Sequence, residues 1–381
     1  MLVPSPRHVV LNALFLDPAG SGGPETYLRG LAPALRALQP SVRLTVGTTR
    51  SGAAVLREDG WAAWCAVRAL PAEEGMRVRR QVAEQVLLPR LARRVGADVL
   101  HSLASTGPVR RVRGVAHVAT IHDVTFFHQQ TFNAVTTWGM RRVVQGVARH
   151  ADGLIAGAAD ARDEIAATLG VDPARFAVVH HGAGPARPSV APADAGAVRA
   201  RYGLGQRRVV LCVASKRPHK NQELLVRAAP LLQSDAVVVL AGHPEPYDAQ
   251  LRSIAASLGA DGRVVFADYV PDADLEALWG LAGVAAFPTR AEGFGLPLLD
   301  ALRRGVPVVA SDLRVFHEVG GDLPRWIDPD DPAGAAAAID AALSDPGDVA
   351  TAGPAWASRF TWDAAAAATW AAYERALAAP S

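Results

Sequence analysis

The chain has 381 residues, half of them hydrophobic and a fifth charged, with 37 arginines, two lysines and a net charge of +2. That length and apolar content predict two folded domains with substantial cores and argue against a disordered chain. No apolar run approaches the roughly 20 residues needed to span a bilayer, and no basic stripe is interleaved with aromatics as nucleic-acid binding would ask.

From the N-terminus, an apolar run over Val9 to Leu16 is interrupted by Asn12 and passes into a glycine turn, so it reads as a strand rather than a signal peptide. Short aliphatic runs then alternate with longer helical patterns. Strands are expected near 8–16, 42–46, 64–69, 98–101, 115–121, 153–156 and 176–180. Helices are expected near 24–38, 76–95, 133–150 and 158–169. The Pro- and Ala-rich stretch Pro185 to Ala195 breaks the pattern and reads as a linker between domains. A second series of strands follows near 208–213, 236–241, 263–266, 283–288, 306–310 and 325–328, with helices between. This alternation is the sequence form of βαβ units in parallel sheets. An alanine-rich helix over 362–377, with Trp370 and Tyr373 on one face, is too isolated to form a third domain.

Charge is divided unevenly. Residues 1–185 carry 21 Arg against 14 acids and the remainder 18 Lys or Arg against 23, balances of +7 and −5. Arginines crowd at Arg77, Arg79, Arg80, Arg90, Arg93 and Arg94, at Arg110, Arg111 and Arg113, and at Arg141, Arg142 and Arg149. They read either as a solvated surface or as a peripheral contact to an anionic membrane, where each base near the surface contributes about 1 kcal/mol. Cys65 and Cys212 lie in apolar runs and suit a reducing, cytoplasmic compartment better than a disulfide.

Both lysines lie in one stretch, Ser215-Lys216-Arg217-Pro218-His219-Lys220-Asn221, directly after the run Val209 to Ala214. A strand, a polar turn and a helix start would put a compact ammonium beside backbone N–H groups, a good setting for a diphosphate. The plainer explanation is that lysine was lost everywhere else by coding bias. A second segment runs from Phe287 to Asp300 and contains Glu292-Gly293-Phe294-Gly295-Leu296-Pro297. Its loop exposes amides, Pro297 suits a first helical turn, and Glu292 and Asp300 can flank a ligand over the helix start. Alone, Asp300 could merely complement the helix dipole. Together, loops at the strand ends of one parallel sheet converge on one crevice.

These residues resemble the retaining glycosyltransferases of GT-B fold, family 4. The shared landmarks are Gly22-Gly23-Pro24-Glu25, His122-Asp123, His181-Gly182, Pro218-His219-Lys220-Asn221 and Glu292 to Pro297. The resemblance implies two Rossmann-like α/β domains, each with a doubly wound parallel sheet, facing across a cleft. Residues 1–185 would hold the acceptor and 190–360 the nucleotide sugar, with the last helix (362–381) crossing back onto the first domain. It implies Lys220 at the donor diphosphate, with Lys216 or Arg217 as a second cation and the Gly22–Gly23 turn closing over the phosphates. Glu292, Gly293, Phe294 and Gly295 would hold the transferred sugar and Asp300 the ribose. His122 would stand near the donor sugar, making it catalytic with Lys220 and Glu292, and Glu25, Asp123 and His181 would lie toward the acceptor. Asp300 departs from the family's usual Glu by one methylene, and Ala214 replaces an expected Arg. The donor implied is a nucleoside-diphosphate hexose, GDP-mannose before UDP- or dTDP-sugars. The acceptor is a glycan, lipid-linked or small-molecule hydroxyl; no cofactor is expected.

Other readings remain at this stage. His122, Asp123 and His128 lack the further tightly spaced ligands of a metal site, and Asp272-Ala273-Asp274 and Asp328-Pro329-Asp330 read as caps and turns, so no metal is expected. Of His180 and His181, alternation along a strand turns one to the core, and His181 is taken as the side facing a ligand. Gly20-Ser21-Gly22-Gly23 lacks the three-glycine dinucleotide fingerprint. An epimerase or phosphorylase of the same architecture, or an inactive nucleotide-binding subunit, shares the fold-level evidence.

Overall fold

The computed structural model describes residues 5–17, 22–72, 77–128, 134–184 and 190–378. Gly20 and Ser21 of the glycine turn and residues 185–189 of the expected linker lie outside these. The chain divides into two compact units. Unit 1 comprises Met1–Arg187 with Phe360–Ser381, and unit 2 comprises Pro188–Arg359.

Unit 1 is built on seven strands: β1 (His8–Ala13), β2 (Arg43–Thr48), β3 (Ala66–Ala69), β4 (Val99–Ser102), β5 (Ala116–Thr120), β6 (Gly153–Ala156) and β7 (Phe176–Val178). All pair in parallel, in the order β3-β2-β1-β4-β5-β6-β7. Both faces are covered, so central strands such as β1 are buried along their whole length and read as largely apolar runs without alternation, broken in β1 by His8 and Asn12. One face carries Tyr27, Leu28 and Leu31 of the helix Gly23–Leu38 together with Trp370 and Tyr373 of the C-terminal helix Trp362–Ala378. These two helices approach so closely that a Cβ on Gly30 would lie 2.1 Å from the Trp362 ring. The other face carries Leu88, Ala92 and Leu100.

Unit 2 holds β8 (Arg208–Val213), β9 (Ala236–Ala241), β10 (Val264–Phe266), β11 (Ala282–Phe287), β12 (Val308–Ser311) and β13 (Arg325–Ile327). They are parallel in the order β10-β9-β8-β11-β12-β13. In each unit the chain winds outward from the first strand, then returns to place the fourth beside it and winds the other way. Loops leaving the first and fourth strands therefore diverge, and a crevice opens at their carboxyl ends.

Two local features depart from the sequence pattern. The helix expected over 76–95 is interrupted by a five-residue π turn, Ala83–Leu87, between Arg77–Val82 and Leu88–Arg94. Pro89 lies just after it and has no N–H for residue 85, so the ladder accommodates an extra residue. A helix over Arg50–Glu58, unannounced by its weak Arg-Ser-Gly start, is held by Thr49, whose Oγ1 accepts the Gly52 amide at 3.0 Å.

Candidate functional site

The crevice of unit 2 lies where β8 and β11 end. After β8, Pro218 starts a short 3-10 turn over Pro218–Lys220, and Asn221 reverses the chain at φ +52. The Asn221 Nδ2 donates to the carbonyls of Pro288 (3.0 Å) and Pro329 (2.8 Å), binding the loops after β8, β11 and β13 to one another. The Arg290 amide donates to the His219 carbonyl at 2.7 Å, a second tie between the two central loops. On this frame Lys220 Nζ donates to Glu292 Oε2 at 2.6 Å. Both side chains remain about a fifth exposed, and they line a pocket with Ala214, Thr289 and Gly295.

Gly295 is required twice over. Its φ is +96, and a Cβ there would lie 2.6 Å from the Phe316 ring. As the N-cap of the helix Leu296–Arg303 it offers no side chain to the first-turn amides, and Pro297 has no amide to satisfy. An uncapped helix start beside an ammonium favours an anion. The Phe294 ring is buried in the core, so this residue presents only backbone to the crevice. Gly293 is buried between Glu292 and Phe294. Asp300 Oδ1 accepts from Arg304 at 2.6 Å and from Arg303 at 3.1 Å, and Arg304 also reaches Glu276.

The second cation expected at the diphosphate is not Lys216. Its side chain is wholly buried, and the ammonium donates to Gly242 O at 2.8 Å and Asp268 Oδ1 at 3.2 Å. An ammonium without these partners would be far too costly to bury, so the charge is consumed structurally. Arg217 is half-exposed and held by Glu245 at 2.8 and 3.0 Å.

In unit 1, Gly22 (φ +63) opens the helix Gly23–Leu38 after β1, again without a side-chain cap. His122 follows β5. Its Nε2 lies 2.7 Å from the Leu103 carbonyl, which can only accept, so Nε2 carries the proton and Nδ1 of the neutral ring is an acceptor. Burial holds its pKa below the ordinary histidine value, against the opposing effects of Leu103 O and Asp123. Asp123 Oδ1 accepts the Thr125 amide at 2.9 Å and caps the short helix Thr125–His128.

Two residues assigned to the acceptor side belong instead to the core. Glu25 is 7% exposed and pairs with Arg29 at 2.7 Å, whose other nitrogen reaches Asp59 at 2.7 Å. His181, not the exposed His180, is the buried member of its pair. Its ring packs 4.7 Å from Tyr27 and stacks on Trp362, because Gly182 leaves room for that indole. It still meets His122 edge-on at 5.6 Å, and so supports that ring from behind.

A buried polar chain here lies outside the site residues that the sequence singled out. Tyr373 OH lies 2.7 Å from His101 Nδ1, His101 Nε2 lies 2.8 Å from Thr120 Oγ1, and Thr120 meets Tyr27 OH at 3.2 Å. Burial lowers the His101 pKa to about 3. His117, bonded through Nε2 to Ser102, is lowered to about 4. Beside them Glu84, on the π turn, is buried with Thr106 Oγ1 donating to it at 2.9 Å, and burial raises its pKa. Only histidines at strand positions 101 and 117 hinted at this network. Among the described residues, no cluster of three or more His, Cys, Asp or Glu is arranged for a metal, and no helix is long and apolar enough to cross a membrane.

Comparison with known proteins bears on this geometry. Residues 21–187 match the model of Glycosyltransferase Family 4, and residues 197–355 match that of Glycosyl transferases group 1. A D-inositol 3-phosphate glycosyltransferase of Acidothermus cellulolyticus is 32% identical over 312 residues, 74% of this chain and 68% of its own. The O-antigen chain mannosyltransferase B of Escherichia coli is 34% identical over 45% of this chain and 47% of its own. The chain thus spans about half the length of some curated relatives that it matches. Anabaena HepE, solved in complex with UDP-glucose, superposes with a TM-score of 0.73 at 18% identity, covering 96% of this chain and 99% of that one. That likeness concerns the fold.

Proposed function

The chain belongs to glycosyltransferase family 4, the glycosyl transferases group 1, with the GT-B fold, and from that premise we propose that it transfers a hexose from a nucleoside-diphosphate sugar to an acceptor hydroxyl with retention of configuration. The observation that carries this reading is the Lys220–Glu292 pair at the switch point of unit 2. A sugar nucleotide would separate the pair. The ammonium would turn to the diphosphate, and the carboxylate would accept hydroxyls of the sugar, with amides at the Gly295 helix start adding further donors.

In the transfer, the anomeric carbon–oxygen bond breaks, and negative charge grows on the departing diphosphate, where Lys220 stabilises it. The acceptor oxygen bonds the same face of the anomeric carbon, and its proton passes to a leaving phosphate oxygen. Lys220 and the helix start supply the countercharge, so the reading needs no metal. Neutral His122 would accept a sugar or acceptor hydroxyl at Nδ1, and Asp300 would meet the ribose.

GDP-mannose is the favoured donor, supported by the run Thr120 to Phe127 and by the mannosyltransferase relative; UDP- and dTDP-sugars follow. The acceptor is a glycan, lipid-linked or small-molecule hydroxyl. A peripheral membrane contact is supported by Arg79, Val82, Val86, Arg90 and Arg93, which succeed one another along the exposed side of residues 77–94. Isothermal titration with GDP, UDP and their sugars tests the donor, with micromolar binding expected; no binding of any nucleotide would reject the reading. An inverted anomeric product, read by proton NMR, would reject retention.

A further inference from the structure

A neutral histidine offers a bare nitrogen in a chosen direction only when its other nitrogen donates to a fixed acceptor. For His122 that acceptor, Leu103 O, belongs to the loop 103–109 that follows β4. The same loop meets the histidine a second time, because Ser105 Oγ accepts the His122 amide at 3.1 Å. Tyr27 and His181 stand edge-on to the ring, with centroids at 5.3 and 5.6 Å. Among the described residues no protein group bonds Nδ1, and the side chain is partly exposed.

This loop is not in a relaxed conformation. Ser105 stands at φ +61, where a residue other than glycine stays only when its surroundings hold it. Its amide donates to Thr120 O at 2.9 Å, and the Thr106 amide donates to Ala104 O at 2.7 Å. Gly107 then passes so near β4 that a Cβ would lie 2.1 Å from Ser102 Oγ.

The groups that hold the loop come from the π turn Ala83–Leu87. Thr106 Oγ1 donates to Glu84 Oε1 at 2.9 Å, and Glu84 is itself buried. Gln85 grips both ends of the next bend, its Nε2 donating to Gly107 O at 2.6 Å and its Oε1 accepting the Val109 amide at 2.9 Å. Successive side chains diverge by about 100° around an α-helix, whereas a π turn holds more residues per turn and narrows that angle. Neighbours 84 and 85 can therefore reach one loop together. The extra residue in the helix thus has a use that packing of the helix does not supply, and such turns recur at functional sites.

We propose that the π turn fixes the tautomer and direction of the His122 ring through the loop 103–109, with Ser105 and Gln85 as positioning residues for the transfer. The inference rests on the reading of His122 as a contact to substrate.

The test combines NMR of the histidine ring nitrogens in the isotope-labelled full chain with turnover of the sugar nucleotide, followed as release of nucleoside diphosphate. Wild type is compared with Ser105→Gly, Gln85→Ala and His122→Ala. Glycine takes φ +61 freely, so Ser105→Gly keeps the fold while removing the hydroxyl. Wild type is expected to show a protonated Nε2 and a bare Nδ1 at His122, signals identified by their loss in His122→Ala. In Ser105→Gly and Gln85→Ala they should move toward a mixture of tautomers, while those of His8, at the other end of the sheet, stay in place. Turnover should fall about 10- to 100-fold in both, the cost of displacing a reacting group by about an ångström, with nucleoside diphosphate affinity within twofold. Turnover within twofold of wild type in either variant, beside an impaired His122→Ala, overturns the proposal alone. So does a fall in turnover with the His122 signals unmoved, since a merely structural role would produce that. If His122→Ala turns over the donor as well as wild type, the substrate reading of His122 falls and the proposal with it.

Discussion

Unit 1 and unit 2 both set their first and fourth strands side by side at the sheet centre, yet against those strands unit 1 buries a chain of neutral hydrogen-bonding groups, its ion pair Glu25–Arg29 lying on the covering helix, whereas unit 2 places lysine–carboxylate pairs at the strand ends. In unit 1 the chain Tyr373–His101–Thr120–Tyr27 is buried and uncharged. All the histidines with lowered pKa among the described residues, His8, His101, His117, His122 and His181, belong to unit 1, His8 at the amino end of β1. Unit 2 instead places Lys220 against Glu292 and Lys216 against Asp268. One topology thus supplies two crevices, and the side chains decide their chemistry. Neutral, buried surroundings orient hydroxyls through hydrogen bonds, whereas a partly exposed ammonium attracts an anion.

The contrast is broken most directly at Lys220. Lys220→Ala should lower turnover of a sugar nucleotide by about 10²–10³, the usual cost of losing one charge-stabilising contact, with the thermal midpoint little changed. A fully active variant would remove unit 2's charge from the chemistry. Lys216→Met should leave Asp248 and Asp268 without their buried cation and cost about 2–3 kcal/mol in urea unfolding. This is below the range for a fully enclosed pair, because Asp268 is half-exposed and keeps Arg252. An unchanged urea midpoint would contradict the structural role assigned to Lys216.

Acid should separate the units. The folded pKa values of His101 (about 3) and His117 (about 4) are depressed from an unfolded value near 6.5. The unfolded chain therefore takes up the proton first. This stabilisation is complete above about pH 6.5 and is lost as pH falls toward the folded values, by about 2 kcal/mol at pH 5 for His101 alone. Hydrogen exchange, corrected for intrinsic rates, should show protection falling in β4 and β5 between pH 7.5 and 5 while β8 and β11 hold; equal loss in both would refute the contrast. The smallest effect is expected from Tyr373→Phe, which removes the hydroxyl bonded to His101 and should cost about 1 kcal/mol in thermal denaturation. A midpoint matching wild type would show that the C-terminal helix is held by packing alone.

Much of this architecture was legible in the residues. Runs such as Val209 to Val213 are apolar without alternation because their strands are covered on both faces, and the spaces between such runs suit crossover helices, so parallel sheets follow. The proximity of Lys220 and Glu292 was also legible, since both lie on loops leaving the carboxyl ends of strands in one sheet. The roles of Lys216, Glu25 and His181 were not. Each belongs to a motif that pointed to a ligand, and each is taken up by a partner inside its own unit.

Pattern and turn chemistry, which act over a few neighbouring residues, were enough to specify the strands, most of the helices and the loop 292–295, but not the helix Arg50–Glu58 or the π turn Ala83–Leu87. Which of two nearby lysines faces water depended on Asp248 and Asp268, 32 and 52 positions beyond Lys216, and which of two adjacent histidines is buried depended on Trp362, some 180 positions away. Burial of a polar group is stable only when its partners arrive with it, and those partners are brought together by the packing of distant elements.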